Sequence, residues 1–298
     1  ENGSISLNLS SLLTTTTVEF RKDLQKDEIS INGLLQQDIN SRAVKHLDRI
    51  RKLAGVYYKG KVVTKNSFPT STGLSSSSSG FAALTLAGAA AAGLSLVEKD
   101  LSVLARQGSG SACRSIPDGF VEWISGDNSE ASYATSIFPA SYWDIVDIVG
   151  IVSEGIKEVS SAEGQKAVNS SPFYQTRLSG ISEKVKLIKQ FIKEKNFTSF
   201  GELIESEALE LHAIMLTSKP SLIYWTPGTL KIMKTVKKWR SEGLPVYFTI
   251  NTGQDIHLFC ESENEKRLVS ELKKIPEVKD IIINYPSIGA RLSDKHLF

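Results

Sequence analysis

The chain has 298 residues, with 35 Lys and Arg against 33 Asp and Glu, which gives a formal net charge of +2. This length predicts two ordinary lobes or one large domain, and either can bury a sizeable core. The near balance of charge provides no long-range field for a nucleic acid or a membrane surface, so we expect a small-molecule ligand. Two cysteines are too few for a secreted disulfide framework, which predicts a cytoplasmic protein.

The first elements in chain order are two predicted strands, residues 5–9 and 14–20, which alternate in polarity or are rich in β-branched residues. A short link separates them, so we expect them to pair antiparallel. Apolar residues at helical spacing then predict a helix over 39–54, with Gly55 in the position of a C-terminal cap. A strand over 56–64 leads to a serine-rich segment.

The serine-rich segment, residues 69–80, runs directly into the most apolar stretch of the chain, residues 81–96. That stretch is too short and too rich in small residues to span a membrane, so we expect a buried helix. Serines at the start of a helix leave backbone N–H groups free for a phosphate, because a helix N-terminus carries about half a positive charge. A flexible linker is the competing interpretation. A linker has no reason to lead at once into a buried helix, which favours the phosphate site.

A second segment rich in glycine and serine, residues 108–115, follows a predicted helix over 101–106. Its two glycines allow the backbone to approach a ligand closely. Arg114 adds a planar fork of donors that suits a carboxylate or a phosphate. A surface loop with a salt-bridged arginine fits the same composition equally well.

The second half begins after a buried-strand run over 145–152, where the composition turns polar around 157–165. We therefore predict domains over 1–157 and 158–298. His212 lies beside an apolar helical stripe and has no second His or Cys at metal spacing, so we expect a structural histidine and assign no transition-metal site. Helices alternate with antiparallel strands in this half, which predicts an α+β sandwich. The predicted helices are 181–191, 204–215, 227–239 and 264–274, and the predicted strands are 246–250, 256–260 and 281–284.

Several of these motifs resemble known families. The spacing of Pro69, Gly73, Leu74, Ser76 and Ser77 is similar to the phosphate-loop pattern Pro-x-x-x-Gly-Leu-x-Ser-Ser of the GHMP kinase superfamily. The 108–115 segment, continued by Gly119-Phe120-Val121-Glu122-Trp123, resembles the more specific signature of mevalonate diphosphate decarboxylases. Further similarity to that family lies in Ser171-Pro172-Phe173, in Leu211-His212-Ala213 through Tyr224, and in Tyr247-Phe248-Thr249-Ile250.

The resemblance implies the two-lobed GHMP kinase fold of the α+β class. Its N-terminal lobe has a mixed sheet and a buried phosphate-loop helix, and its C-terminal lobe is a ferredoxin-like α/β sandwich. Such enzymes use ATP and Mg²⁺ to phosphorylate the 3-hydroxyl of 5-diphosphomevalonate. Loss of phosphate and CO₂ then gives isopentenyl diphosphate. The resemblance also implies a homodimer.

The family's site residues carry over by position. Those for the ATP phosphates are Gly73, Leu74, Ser75, Ser76, Ser77 and Ser78, with Ser76 as the candidate Mg²⁺ contact. Ser109 and Ser111 would line the substrate pocket, and Arg114 would hold the substrate carboxylate, which makes Arg114 and Ser111 catalytic candidates. Ser160 and Ser161 are weaker candidates, because the loop around them aligns with a gap.

The chain departs from the family at the catalytic aspartate. The family has a Phe-Asp-x-Gly turn, whereas this chain reads Ile250-Asn251-Thr252-Gly253. An amide can orient the 3-hydroxyl but cannot accept its proton. Asn251 is therefore an engineered substitution, a natural variant that relies on positioning, or the mark of a relative that phosphorylates without decarboxylating. Asp255, four residues on, is a candidate to stand in for the base.

A second departure concerns the start of the chain. The family begins with a Lys-Tyr-Trp-Gly-Lys segment that nothing here matches, so we expect an N-terminal piece to be missing. Three alternatives to the diphosphomevalonate decarboxylase stay open. They are a kinase that acts on the 3-hydroxyl of mevalonate or phosphomevalonate, a phosphomevalonate decarboxylase, and a binding module that has lost its chemistry.

Overall fold

The computed structural model describes residues 2–38, 41–68, 74, 76–152 and 161–298, with side chains from residue 164 onward in the last range. The elements of the first half are β1 (Ser4–Leu7), β2 (Thr14–Arg21), β3 (Glu28–Ile31), β4 (Leu34–Gln36), α1 (Arg42–Ala54), β5 (Lys59–Asn66), α2 (Ser76–Ala91), α3 (Glu98–Gly108), a 3₁₀ helix (Gly110–Ser115), β6 (Phe120–Ile124) and β7 (Tyr133–Phe138).

A mixed four-stranded sheet in the order β2-β5-β3-β4 forms the N-terminal lobe, as expected. The pair β3 and β5 is parallel, while β2 pairs antiparallel with β5. Helices α1 and α2 cover one face, and Leu47, Val62 and Leu84 meet in the core. Helix α1 ends at Gly55, whose φ of 66° lies in the left-handed region that favours glycine, so the predicted cap is confirmed.

Helix α2 is buried over much of its length, as predicted, and it begins at Ser76 rather than at Phe81. The serines from Ser76 to Ser79 therefore form its first turn. Ala82 and Ala89 are at most 2% exposed, and an added Cβ at Gly88 would lie 2.8 Å from Ile50. The linker interpretation is wrong for these serines, because they belong to a packed helix.

The prediction that the first two strands pair with each other is wrong. Strand β1 pairs with β6 in a separate three-stranded sheet, β1-β6-β7, and β2 pairs with β5. Ile5 and Leu7 of β1 pack into a cluster with Ile188, Ile192 and Phe200 from the second half of the chain. Alternation shows that a strand has one buried face, but it does not show which strand is its neighbour.

The second half contains β8 (Ile145–Ile151), α4 (Ser161–Ala167), α5 (Tyr174–Glu194), α6 (Phe197–Thr217), α7 (Pro227–Ser241), β9 (Tyr247–Thr249), β10 (Ile256–Glu261), α8 (Glu265–Leu272) and β11 (Asp280–Asn284). Its four strands form a sheet in the order β11-β8-β10-β9 whose pairs are all antiparallel. With helices between β8 and β9 and between β10 and β11, this is the ferredoxin-like arrangement that we expected.

Strand β8 lies in the centre of this sheet and is buried along its whole length. One face of the sheet packs on α7 and α8 through residues such as Ile148, Leu258 and Ile232. The other face packs partly on α5 and α6. The domain boundary between residues 157 and 158 stays a prediction, and β8 belongs to the C-terminal sheet although it precedes that boundary.

The end of the chain returns to the N-terminal half after β11. Ser287 accepts a hydrogen bond from Gly119 N–H and donates one to the Asn8 carbonyl, both at 2.9 Å. Ala290 N–H donates to the Ser115 carbonyl at 2.8 Å. These bonds fix the C-terminal segment beside the 108–115 segment.

Across the described ranges, no helix combines the length and the apolarity that a bilayer crossing requires. Cys113 and Cys260 are both free and buried. Burial raises the pKa of Cys113 to about 11 and that of Cys260 to about 12. Neither thiol is therefore a reactive thiolate at neutral pH.

Gly201 provides a test of this packing, because an added Cβ would lie 2.0 Å from the ring of Tyr247 on β9. We expect Gly201→Ala in α6 to destabilise the fold by about 1–3 kcal/mol through overpacking. Gly180→Ala in α5 is the matched control, since nothing lies within 4 Å of its added Cβ. The control should be neutral or up to about 1 kcal/mol more stable. Urea unfolding midpoints measure both, and equal midpoints would contradict the α6–β9 contact.

Candidate functional site

The first turn of α2 and the 108–115 segment meet through their serine hydroxyls. Ser78 Oγ lies 2.5 Å from Ser111 Oγ, and Ser109 Oγ donates to Ser77 Oγ at 3.4 Å. Four of the predicted site serines therefore share one place. A hydrogen bond of 2.7 Å between Ser79 and Thr14 of β2 anchors the same turn to the N-terminal sheet.

The electrostatics of this turn favour an anion. Helix α2 has 16 residues, so its aligned peptide dipoles give its N-terminus a partial positive charge. The backbone N–H groups of a first helical turn lack partners within the helix. Ser77 is exposed and Ser76 is half-buried, so solutes can reach this end.

Arg114 lies at the end of the 3₁₀ helix that carries Ser111. Its Nη1 donates to Ser4 Oγ of β1 at 2.7 Å, and its guanidinium lies 5.7 Å from the centre of the Trp123 ring. Within the described residues, no carboxylate forms an ion pair with it. Burial lowers the pKa of Arg114, yet a guanidinium stays charged at neutral pH.

The alternative of a surface loop with a salt-bridged arginine is therefore wrong. Ala112 and Cys113, the two residues before Arg114, are fully buried. A cation held by a hydroxyl and an aromatic face keeps donors that suit an incoming carboxylate or phosphate.

Leu74 connects this N-terminal site with the C-terminal sheet. It is 5% exposed and packs in one cluster with Phe68, Val149 and Ile151. Val149 and Ile151 belong to β8, so Leu74, two residues before α2, lies against the sheet whose edge strand β9 leads to Asn251.

Asn251 follows β9 in the turn toward β10, and it is exposed. Its carbonyl accepts a hydrogen bond of 3.0 Å from Nε2 of His212 on α6. The His212 ring stacks on Trp225 with a centroid distance of 4.9 Å. Burial lowers the pKa of His212 to about 4, so the ring is neutral and its Nε2–H donates. This is the structural role that the sequence predicts for His212.

The structure brings together Ser77, Ser78, Ser109 and Ser111, with Arg114 one turn farther on. Asn251 shows no hydrogen bond to these five residues in the described part of the chain. Gly73, Ser75 and Ser160 lie outside the described residues, as does the side chain of Ser161. The described residues contain no group of three His, Cys, Asp or Glu that could hold a metal ion. Mg²⁺ commonly keeps waters and binds through one or two protein groups plus substrate phosphates, so the Ser76 hydroxyl at the start of α2 fits that ion.

Sequence reasoning missed two features of this region. Ser4, the partner of Arg114, lies opposite Trp123 only because β1 pairs with β6, and that pairing was not predicted. Asp147 and His257 form a buried pair on the C-terminal sheet. The signal for that pair was present, since Asp147 is a lone charge within the apolar run Ile145-Val146-Asp147-Ile148-Val149.

The mixed N-terminal sheet, the buried helix that starts with serines and the ferredoxin-like second unit define the GHMP kinase fold class. Residues 1–134 match the family model of the diphosphomevalonate decarboxylase-like N-terminal domain. Residues 147–292 match that of the mevalonate 5-diphosphate decarboxylase C-terminal domain. The chain therefore belongs to the diphosphomevalonate decarboxylase family, as its motifs indicated.

Individual relatives agree with this assignment. The phosphomevalonate decarboxylase of Haloferax volcanii is 32% identical over 270 residues, which cover 89% of this chain and 82% of the relative. The diphosphomevalonate decarboxylase of Candida albicans is 32% identical over 291 residues, which cover 92% of this chain and 80% of the relative. A solved structure of MDDEF in complex with MVAPP, AMPPCP and magnesium is 36% identical, with a TM-score of 0.90, and covers 97% of this chain and 89% of that one.

The neutral His212 predicts a pH dependence of stability. Its pKa falls from 6.5 to about 4 on folding, so between these values the unfolded chain takes up a proton that the folded chain does not. We expect the free energy of unfolding to fall as the pH drops through this window and His212→Gln to make that fall less steep. Urea unfolding across the window measures the slope.

His296→Gln is the control for this prediction, because His296 is exposed. Burial also lowers the pKa of His46 to about 4, so His46 too makes the free energy of unfolding fall as the pH drops. The pKa of His257 is raised, so His257 has the opposite effect: its contribution to the free energy of unfolding is fully present at low pH and is lost as the pH rises. The comparison of variant with wild type isolates His212, and an unchanged slope in His212→Gln would contradict its neutral state.

Proposed function

We propose that this chain catalyses the ATP-dependent decarboxylation of 5-diphosphomevalonate to isopentenyl diphosphate, with release of ADP, phosphate and CO₂. The observation that carries the proposal is the contact between the first turn of α2 and the segment that bears Arg114. An anion at the start of α2 would then lie near a guanidinium that forms no ion pair within the described residues. The two family models and the relatives support it.

The nucleotide would lie at the start of α2. The backbone N–H groups of the helix and the hydroxyls of Ser77 and Ser78 would donate hydrogen bonds to the phosphates, and Ser76 would contact Mg²⁺. When bound, ATP and Mg²⁺ supply the phosphoryl group and neutralise charge on the phosphates. The MDDEF complex with AMPPCP and magnesium supports ATP and Mg²⁺ as the groups bound here.

Arg114 would hold the carboxylate of the mevalonate unit, with Ser109 and Ser111 lining the same pocket. A bidentate guanidinium fixes the carboxylate plane and keeps the group ionised. Departure of the 3-phosphate leaves electron demand at the neighbouring carbon, and loss of CO₂ from an ionised, aligned carboxylate supplies that electron pair. Ser4 and Trp123 would keep the guanidinium in place for this step.

Asn251 would orient the 3-hydroxyl without accepting its proton. The hydrogen bond from His212 to its carbonyl would hold the turn. This residue also motivates the kinase alternative, in which a 3-phosphorylated product accumulates without CO₂. The Haloferax volcanii relative motivates a phosphomevalonate substrate.

One assay separates these candidates. The protein is incubated with ATP and, in turn, mevalonate, its 5-phosphate and its 5-diphosphate, while ADP and CO₂ are measured. We expect ADP and CO₂ in equal amounts with the diphosphate. Release of CO₂ only with the monophosphate would show that phosphomevalonate is the substrate. Formation of ADP without CO₂ would show that the chain is a kinase. Nucleotide binding without turnover would indicate a binding module. The predicted homodimer remains an expectation that sedimentation would test.

Arg114→Met should lower kcat/KM by about 10²-fold or more, because it removes the charge that aligns and stabilises the reacting carboxylate. Arg49→Met on α1 is the matched control, since Arg49 is exposed and takes no part in the proposed site. Steady-state CO₂ release measures both variants. Equal activity of Arg114→Met and the control would remove Arg114 from the mechanism.

Asn251→Asp should raise the rate of CO₂ release by about 10²–10⁴-fold, the usual contribution of a general base. Asn251→Ala should lower the rate, because it removes the amide that orients the hydroxyl. Single-turnover measurements with saturating ATP isolate the chemical step for both. A rate for Asn251→Asp no higher than wild type would mean that proton removal does not limit this enzyme.

A further inference from the structure

A row of buried ionisable side chains lies on the face of the C-terminal sheet opposite α7 and α8. Asp147 of β8 is 1% exposed, His257 of β10 is 6% exposed, and Asp255, just before β10, is 3% exposed. Val149 and Ile151, which contact Leu74, lie on the same face because side chains alternate along β8. The proposed mechanism gives no role to this row.

The row is held together by hydrogen bonds and charge. Nδ1 of His257 lies 3.0 and 3.1 Å from the two carboxylate oxygens of Asp147, and Asn284 donates to Asp147 from β11. Burial lowers the pKa of His257, but the carboxylates of Asp147 and Asp255 outweigh burial and raise it above its ordinary value. The imidazolium form is thus favoured between two carboxylates.

Asp255 also connects two segments of the proposed site. Its Oδ1 accepts the N–H of Val152, the residue that follows β8, at 3.1 Å. The ladder between β9 and β10 ends at the pair Thr249 and His257, so Asn251 and Asp255 both lie in the turn that joins these strands. Thr229 on α7 donates to the Gln254 carbonyl at 2.6 Å and fixes the residue before it.

We propose that Asp255 is a positioning residue for the reaction: by accepting the N–H of Val152, its carboxylate fixes the Asn251 turn to the end of β8, the strand against which Leu74 packs. This inference rests on the proposed function for the reaction it serves. The placement of the turn relative to β8 is a property of the fold alone. Small errors of placement are costly, since a displacement of about 1 Å can lower a rate about 10²-fold.

The first arm of the test is kinetic. Asp255→Ala removes the acceptor for Val152 and should lower kcat at least about 10-fold with KM changed less than about 3-fold. Asp255→Asn keeps an acceptor of the same size and should recover most of kcat. Asp280→Asn on β11 is the control, because it removes an exposed carboxylate from the same sheet. Unchanged kcat in Asp255→Ala, or equal losses in the Ala and Asn variants, would overturn the proposal.

The second arm needs no turnover. Amide hydrogen exchange of the peptide over 249–256 should be faster in Asp255→Ala than in wild type, while exchange of helix α1 stays the same. Exchange in Asp255→Asn should resemble that in wild type. If the Ala variant does not fold, the exchange rate of the Asn variant alone tests the positioning role. Unchanged exchange in the folded Ala variant, or fast exchange in the Asn variant, would overturn the positioning role. Failure of the wild type to release CO₂ would overturn the proposed function and leave this arm intact.

Discussion

The structure depends on the burial of α2, whose first turn of serines contacts both β2 and the 108–115 segment. A helix made largely of small apolar residues must be covered on nearly all sides, and here the N-terminal sheet, α1 and the 108–115 segment cover it. The same burial fixes the direction of the helix dipole, so the positive end of the dipole lies at the turn that begins with Ser76. The hydroxyl contacts of Ser77 and Ser78 then align the second segment with that place. Packing and electrostatics therefore share one cause.

The two lobes contribute different chemistry to the proposed site. The N-terminal lobe supplies fixed positive potential through the start of α2 and through Arg114. The C-terminal lobe supplies a turn that carries a neutral amide and, behind it, a buried row of one histidine and two aspartates. Leu74, which packs against β8, connects the lobes by apolar contact, which is insensitive to charge. The turn can therefore vary in its polar residue without changing how the lobes pack.

Periodicity and composition predicted most of the helices and the strands β1, β2, β5 and β8 to β11, whereas β3, β4, β6, β7 and α4 carried no prediction. The cap at Gly55 and the burial of α2 followed from single residues and composition. Strand partners were beyond this reasoning, since β1 pairs with β6 across more than a hundred residues of sequence. Ser4 was not predicted as the partner of Arg114 for the same reason, since it lies on β1. Motif resemblance indicated candidate site residues, which stay predictions. The Asp147–His257 pair emerged only when the sheet order was known, although a lone aspartate in an apolar strand was a signal.

The chain passes between its two halves twice, once where β7 leads into β8 and once where the end of β11 leads to Ser287 and Ala290. The second crossing ties the 108–115 segment, which bears Arg114, to the end of β11 by backbone hydrogen bonds. The two halves also share a core, in which Ile5 and Leu7 pack with α5 and α6. The segment that bears the guanidinium is therefore held in place from both halves of the chain.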